Sequence, residues 1–296
     1  MLIVQTEKIQ NNMIQVKTFY FNDLRECCYV LYDDTKECVI IDPGMQNENE
    51  QKRLVKFIEE NALTPVKLLC THGHFDHVMG NAFVTAKWGI PTYIHKDDVG
   101  QLERAQQYCQ MFGYTIERPP VENMVNINDG DNVTFGNSSL QVIHSPGHTR
   151  GGVCYYSAPD KFIITGDSLF QGSIGRTDLP GGDYDALMES LLNKVCKIAD
   201  PFSKVYPGHG PETSIGHELN TNPFLRYEEY EEGGFGGSCL FCSLHSCICT
   251  ELRGERISCI FAGKCFYPTA TDSECGYSKS STGGIICRRE GSVGVF

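Results

Sequence analysis

Three histidines and one aspartate fall within six positions of this chain, in the pattern His72-x-His74-x-Asp76-His77. They follow residues 66–70, an apolar run that predicts a buried strand, so the pattern lies in a loop at a strand end. Imidazole and carboxylate groups bind zinc, iron, copper and nickel. A polar surface cluster is the alternative, but with only nine histidines in 296 residues such spacing is rare by chance. The segment therefore predicts a metal site.

Three later segments offer further metal ligands, and each combines an apolar run with a glycine-containing turn. They are a Gly-His ending at His148, a Gly-Asp ending at Asp167 and a Pro-Gly-His ending at His209. Taken singly, each segment is more typical of an ordinary turn. Together with the first motif, they supply the two histidines and one aspartate that a binuclear site still lacks.

The order of these motifs resembles the metallo-β-lactamase superfamily, over roughly residues 12–225. The resemblance implies an α/β fold, the αββα sandwich of that superfamily, with two divalent metal ions at one edge. Zinc is the first expectation for both ions, with iron and manganese as alternatives. The resemblance also implies how the ligands divide. The first metal takes His72, His74 and His148, the second takes Asp76, His77 and His209, and Asp167 bridges them.

Residues 175–183, which include Arg176, resemble the glyoxalase II and persulfide dioxygenase branch of the superfamily. We therefore favour a glyoxalase II-like thioesterase that cleaves thioesters such as S-lactoylglutathione through a metal-bound hydroxide. Two metals roughly 3.5–4 Å apart can hold that hydroxide, and zinc lowers the pKa of bound water to about 7. Asp76 and Asp167 are the catalytic candidates, because both are implied ligands and Asp76 can also accept a proton.

Other functions remain open at this stage. A persulfide dioxygenase would use one iron, held by His72, His148 and Asp167, but residues 207–211 look more like the small hydrolase group. A metal-storage or metal-sensing module fits less well, because seven ligands around two ions leave positions open for water. Antibiotic hydrolysis ranks low, because the true β-lactamases of the superfamily do not use a bridging aspartate at the position of Asp167.

A few polar residues near the motifs have two interpretations each. Asp42 either orients a ligand histidine, as the resemblance suggests, or caps a turn. Arg176 either clamps a substrate carboxylate or forms an ion pair with a nearby acid. His95, His144 and His217 do not fit the ligand pattern, so we expect structural or exposed roles for them.

Composition restricts the partners of the chain. A net charge of −12 argues against a nucleic-acid surface, which needs clustered Lys and Arg. The sequence has no apolar run near the roughly 18 residues of a membrane span, nor the pattern of a signal peptide. We therefore expect a cytoplasmic protein that acts on a small-molecule thioester and binds neither nucleic acid nor membrane, while its oligomeric state stays open.

Strand and helix patterns alternate over the first 230 residues or so, which favours sheets covered by helices. Strands are predicted at residues 14–21, 28–32, 38–41, 66–70, 91–95, 133–135, 140–143, 153–157, 162–165 and 203–206. Helices are predicted at residues 48–62, 77–88, 97–112 and 183–198.

The composition changes at about residue 232, so we divide the chain into a catalytic domain, 1–232, and a tail, 233–296. The tail holds eleven glycines and eight of the fifteen cysteines. We interpret it as a disordered, low-complexity extension or a non-native reading-frame product. The alternative is a zinc site at Cys239-x-x-Cys242 and Cys247-x-Cys249, although the spacing of paired knuckles is not clean. The helical domain with which glyoxalase II binds glutathione is missing from the pattern.

Overall fold

The computed structural model describes residues 13–226 and two further strands, at 276–279 and 285–288. Contacts divide the chain into two units, Met1–Tyr230 and Glu231–Phe296. In the second unit, the described strands Gly276–Lys279 and Ile285–Arg288 pair antiparallel. The four cysteines of the possible zinc site lie outside the described residues. The division into a catalytic domain and a disordered or non-native tail therefore stays a prediction.

The strands of the first unit, in chain order, are β1 Gln15–Phe21, β2 Glu26–Tyr32, β3 Glu37–Ile41, β4 Thr64–Leu69, β5 Thr92–Ile94, β6 Met124–Asn126, β7 Asn132–Phe135, β8 Ser138–His144, β9 Val153–Ser157, β10 Phe162–Gly166, β11 Leu169–Phe170, β12 Ser173–Ile174, β13 Lys204–Pro207 and β14 Thr213–Ser214. The helices are α1 Glu48–Glu60, α2 Phe75–Val78, α3 Asn81–Trp88, α4 Val99–Met111, α5 Tyr184–Ser190, α6 Cys196–Ile198 and α7 Ile215–Thr221. A short 3₁₀ helix, Lys96–Asp98, precedes α4, and a π-helical turn, Leu191–Val195, joins α5 to α6.

Two six-stranded mixed sheets form the centre of the first unit. The first has the order β1-β2-β3-β4-β5-β6, with parallel pairing from β3 to β6. The second has the order β14-β13-β10-β9-β8-β7, in which β10 and β13 are parallel. Strand β9 is antiparallel to both β8 and β10, so β8, β10 and β13 all run in one direction. Their carboxyl ends therefore meet at a single edge of the sheet.

Both faces of each sheet are buried, because successive side chains along a strand pack into different layers. On β2, Tyr29 and Leu31 pack against residues of the second sheet, such as Phe135 and Tyr155. The intervening residues Cys28 and Val30 pack toward the helical layer on the other face. Because side chains alternate along a strand, a strand with both sets apolar must be covered on both faces.

Helices cover the outer faces of both sheets. Leu54 and Ile58 of α1 join the core cluster of the first sheet, while Leu187 of α5 and Ile215 of α7 join that of the second. Helix α1 starts at Asn47, whose side chain accepts from the amide of Glu50 and so satisfies a free amide of the first turn. The predicted αββα sandwich is thus confirmed.

The predicted long helices at 77–88 and 183–198 are each interrupted. Met79 and Gly80 separate α2 from α3, because the Gly80 amide donates to the Pro43 carbonyl at 2.7 Å. A Cβ at Gly80 would lie 2.6 Å from the Pro43 carbonyl oxygen itself, so this contact requires glycine. The short strands β6, β11, β12 and β14 and helix α7 were not predicted, because segments this short carry too few residues for a clear period.

No helix within the described ranges is long and apolar enough to cross a membrane.

We predict that the chain truncated after Glu232 folds and keeps its metal content and most of its activity. The reason is that the three large core clusters and all the expected metal ligands lie before residue 226. Thermal unfolding and metal content of the truncated and full chains provide the comparison. Insolubility of the shorter chain would show that the tail belongs to the fold.

Candidate metal centre

The four sequence motifs meet at one edge of the two sheets. The loop after β4 carries His72 and His74, and helix α2, which follows at once, carries Asp76 and His77. His148, Asp167 and His209 follow β8, β10 and β13, the three strands that share one direction. The carboxyl ends of such strands are the usual location of sites in layered α/β folds. All seven predicted ligands are therefore brought together.

The first cluster contains His72, His74 and His148, whose ring nitrogens lie within 4.8 Å of one another. Nε2 of His148 is 2.9 Å from Nδ1 of His74. Nε2 of His72 is buried and has no hydrogen-bond partner among the described residues. A buried polar atom without a partner is costly in a folded protein, so it points to a ligand that binds there.

The second cluster contains Asp76, His77 and His209, again within 4.8 Å of one another. Nε2 of His209 lies 3.2 Å from Nε2 of His77 and 3.2 Å from Oδ2 of Asp76. His77 is fully buried, whereas the side chain of His209 is 27% exposed. His74 is also partly exposed. Each cluster therefore has one histidine that solvent can reach.

The carboxylate of Asp167 faces both clusters. Its Oδ1 lies 3.4 Å from Nε2 of His77, and its Oδ2 lies 3.5 Å from Nε2 of His148 and 3.7 Å from Nε2 of His209. Oδ1 is buried and accepts no hydrogen bond from the part of the chain that the structure describes. A carboxylate with one oxygen near each cluster has the geometry of a bridging ligand.

Hydrogen bonds on the far side of the rings fix which nitrogen carries a proton. Nδ1 of His148 lies 2.8 Å from the carbonyl of Arg176, and Nδ1 of His209 lies 3.2 Å from the carbonyl of Leu24. Nδ1 of His77 lies 3.1 Å from Oδ2 of Asp42. Because these oxygens only accept, Nδ1 donates in each case, so Nε2 is the nitrogen that can bind a metal ion in place of a proton.

The donor set fits metal ions. An unprotonated imidazole nitrogen and a carboxylate oxygen are both acceptors, so their close approach is favourable only when a proton or a metal ion lies between them. Zinc–nitrogen bonds of about 2.0–2.1 Å in a tetrahedral site place ligand atoms about 3.3 Å apart. The separations of 2.9–3.7 Å given above lie around that value. Two adjacent clusters sharing Asp167 therefore have the arrangement of a binuclear centre.

The electrostatics differ between the two clusters. Burial lowers the pKa of His72 well below its usual value and that of His74 to about 4, so both rings are neutral at pH 7. Burial alone would raise the pKa of Asp167, but the nearby positive charge of His77 holds it well below the usual range. Burial likewise opposes the charged form of His77, yet Asp167 and Asp76 raise its pKa well above the usual value. The acidic groups thus attract positive charge into the second cluster.

Residues behind the ligands hold them in place. Of the two interpretations of Asp42, the structure supports the one in which it orients a histidine, since its carboxylate contacts His77 and accepts from the backbone amide and the hydroxyl of Thr71. Asn22 donates to the carbonyl of Asp76 at 2.9 Å, a contact that the sequence analysis missed. Glu26 was missed as well. It is fully buried 3.9 Å from Nδ1 of His77, with both oxygens unpartnered within the described residues, and burial raises its pKa well above the usual value.

Arg176 forms the ion pair that was one of its two interpretations. Its Nε and Nη2 donate to the two oxygens of Asp178 at 2.8 and 2.9 Å, and its side chain is 59% exposed. Its backbone carbonyl binds His148, which places the residue at the rim of the first cluster. The exposed pair leaves the guanidinium within reach of a ligand from solvent.

The other three histidines that the structure describes lie apart from the two clusters. His95 and His144 stack with ring centres 4.2 Å apart and planes 14° apart. Because a ring nitrogen binds a metal in the plane of its ring, nearly parallel rings do not converge on one ion, although Asp97 lies nearby. His217 is exposed on α7. Both observations agree with the structural or exposed roles expected for them.

Comparison with known proteins gives a consistent result. Residues 24–209 match the family model described as the metallo-beta-lactamase superfamily. The hydroxyacylglutathione hydrolase GloC of Haemophilus influenzae is 36% identical over 200 residues, covering 67% of this chain and 92% of that protein. A Bacillus subtilis protein named "probable metallo-hydrolase YqgX" is 36% identical over 199 residues, covering 67% of this chain and 90% of that protein.

Two solved structures show the same fold. The B3 metallo-beta-lactamase BLEG-1 is 36% identical, with a TM-score of 0.64, covering 72% of this chain and all of that chain. TTHA1623, solved in a di-iron-bound form, is 37% identical, with a TM-score of 0.64, covering 71% of this chain and all of that chain.

We predict that Asp167→Ala is more damaging than the loss of any single histidine of the site. Asp167 faces both clusters, so its removal weakens the binding of both metals, whereas His74→Ala or His209→Ala weakens the binding of one. Metal content per chain, measured by elemental analysis, should fall toward zero in Asp167→Ala and stay higher in the two histidine variants. Retention of two ions with surviving activity in Asp167→Ala would show that this residue does not bridge.

Proposed function

The chain belongs to the metallo-beta-lactamase superfamily as a metal-dependent hydrolase, and we propose that its substrates are small thioesters, including S-lactoylglutathione. The observation that carries the proposal is the pair of acceptor clusters that meet at the carboxylate of Asp167. The name of the relative GloC, a hydroxyacylglutathione hydrolase, supports this substrate class.

We assign seven ligands to two divalent ions in this proposal. The first ion is held by His72, His74 and His148, the second by Asp76, His77 and His209, and Asp167 contacts both. Zinc is the proposed metal, because tetrahedral zinc sites combine histidine nitrogens with carboxylate oxygens. The di-iron form of TTHA1623 supports iron as the alternative, and manganese accepts the same ligand types.

Bound metal ions would supply electrophilic activation of the thioester carbonyl and make hydroxide available near neutral pH. The protein residues provide orientation and proton transfer. Asp76 lies beside the partly exposed His209, so its carboxylate can receive the proton of the attacking water at Oδ2. The leaving thiolate has a conjugate acid with a pKa of about 8.5, so it departs without a strong general acid.

Two other reactions are less well supported. A mononuclear-iron persulfide dioxygenase needs only His72, His148 and Asp167, whereas Asp76, His77 and His209 form a second complete cluster. The similarity to BLEG-1, a B3 metallo-beta-lactamase, suggests hydrolysis of β-lactams as a second reaction. The bridging geometry of Asp167, which does not fit the true β-lactamases of the superfamily, favours the thioester reaction.

A substrate panel tests the proposed function. Metal-loaded full-length protein would be assayed for cleavage of S-lactoylglutathione and a small neutral thioester, for cleavage of a chromogenic cephalosporin, and for oxygen consumption with glutathione persulfide. We expect thioester cleavage that disappears on metal removal and returns on reloading. For S-lactoylglutathione we expect a KM near the upper end of the common range, about 1 mM. In the described part of the first unit only β14 and the short helix α7 follow His209, so we expect little binding energy from remote parts of glutathione.

Faster turnover of the cephalosporin, or oxygen consumption with the persulfide, would replace the thioesterase assignment by the corresponding reaction. A low-micromolar KM for S-lactoylglutathione would instead contradict the expected weak binding of glutathione, and it would require a further glutathione-binding surface.

Arg176 is the proposed anchor for a substrate carboxylate, which would take the place of Asp178. We predict that Arg176→Ala raises KM for S-lactoylglutathione about 2- to 5-fold, the range for an exposed ion pair, with a smaller change in kcat. Steady-state kinetics with the neutral thioester provide the matched control, since that substrate has no carboxylate to bind. Asp178→Ala should lower KM or leave it unchanged, because it removes a competing carboxylate. Equal changes for charged and neutral thioesters would limit Arg176 to its ion pair and backbone contact.

A further inference from the structure

Asp98 joins two loops that carry ligands of the first metal. It is fully buried, and its carboxylate accepts three hydrogen bonds. Oδ2 accepts from the amide of Gly73 at 2.9 Å and from the hydroxyl of Thr149 at 2.7 Å. Oδ1 accepts from the amide of Gly151 at 2.7 Å. Gly73 lies between His72 and His74, and Thr149 directly follows His148, so one carboxylate fixes the backbone beside all three histidines of the first cluster.

The position of Asp98 in the chain shows how unusual this arrangement is. It is the last residue of the 3₁₀ helix that leads directly into α4, and its backbone is already helical. Its carboxylate makes no capping hydrogen bond to the described α4 and is directed to the two loops instead.

Two glycines allow the loops to approach Asp98. A Cβ at Gly73 would lie 2.8 Å from the carbonyl oxygen of Asp98 and 2.7 Å from Cβ of Gln101. A Cβ at Gly151 would lie 2.7 Å from the amide of Asp98 and 2.9 Å from its Cγ. All four distances are too short for a Cβ, so both loops need glycine where they approach Asp98.

The second cluster is held by other groups. His77 is oriented by Asp42, His209 by the carbonyl of Leu24, and the backbone of Asp76 by Asn22. From this separation we infer that Asp98 is a positioning residue for the first metal alone. The inference rests on the proposed binuclear centre but not on its substrate.

The consequence is a selective loss of one metal. In Asp98→Asn only one oxygen remains, so at least one of the two buried backbone amides loses its acceptor. Loss of such a supporting contact typically weakens metal binding by about 10- to 100-fold. We expect this weakening at the first site, while the second site keeps the affinity of the wild-type protein.

Chelator titration of full-length, cobalt-loaded protein tests the inference. Wild type should hold two ions, and Asp98→Asn should lose one of them at about 10- to 100-fold lower chelator concentration. The visible spectrum of the ion that remains should match that of His148→Ala, which lacks a first-site ligand, and differ from that of His209→Ala. Thr149→Val should shift the same ion by a smaller factor, and Thr149→Ser, which keeps the hydroxyl, should restore it.

Asp33→Asn is the matched control for general destabilisation. Asp33 is also buried and accepts from the amides of Thr35 and Asn137 and from the hydroxyl of Ser138, at the end of β2 opposite to Glu26. Asp33→Asn should lower thermal stability about as much as Asp98→Asn does, while leaving the affinities of both metal sites unchanged.

Three results would overturn the inference, and they are distinguishable. Equal weakening of both ions in Asp98→Asn would reduce Asp98 to a general structural role. Metal release at wild-type chelator concentrations in both Asp98→Asn and Thr149→Val would show that Asp98 does not position the first metal. If Asp98→Asn does not fold, the result for Thr149→Val alone decides whether the contact matters. A wild-type chain that binds fewer than two ions would refute the binuclear centre and this inference with it.

Discussion

The whole arrangement depends on the repulsion among acceptor atoms that the fold holds together. Nε2 of His77 and Nε2 of His209 lie 3.2 Å apart, and Nδ1 of each ring already donates, to Asp42 or to the Leu24 carbonyl. The two Nε2 atoms therefore repel each other unless a proton or a metal ion lies between them. Carboxylate oxygens of Asp76 and Asp167 lie in the same space and add further acceptors. Such an arrangement is stable only when positive charge enters it. Two metal ions can satisfy more of these acceptors than single protons can, since each ion binds several ligands at once.

The two-sheet core makes this convergence possible. Side chains buried on both faces of the sheets fix the strands, and β8, β10 and β13 deliver His148, Asp167 and His209 to one edge. The first sheet positions the other four candidate ligands, which lie in the loop after β4 and in α2. Rigid strands determine where the loops begin, and buried contacts from Asp42, Asn22 and Asp98 determine where they point. Binding energy for the metals is therefore distributed over residues far from one another in sequence.

The fold, and the meeting of the seven candidate ligands at one edge of the sheets, could be predicted because their signals are local. The motif from His72 to His77 and the turns before His148, Asp167 and His209 can be recognised within a few positions. Asp98, Asn22 and Glu26 could not be found in this way, because each acts through contacts with residues distant in sequence. Asp98 lies inside the predicted helix 97–112, and only the three-dimensional contacts show that its carboxylate points to two ligand-bearing loops. The break between α2 and α3 likewise depends on Pro43, a residue outside the helical pattern.

The proposed pair of metal ions on either side of the Asp167 carboxylate is tested most directly by an anomalous-difference map from crystals of the metal-loaded, full-length protein. We expect two peaks roughly 3.5–4 Å apart, one beside His72, His74 and His148 and one beside Asp76, His77 and His209, with an Asp167 oxygen at bonding distance from each. A single peak bound by His72, His148 and Asp167, with the second cluster empty at saturating metal, would contradict it.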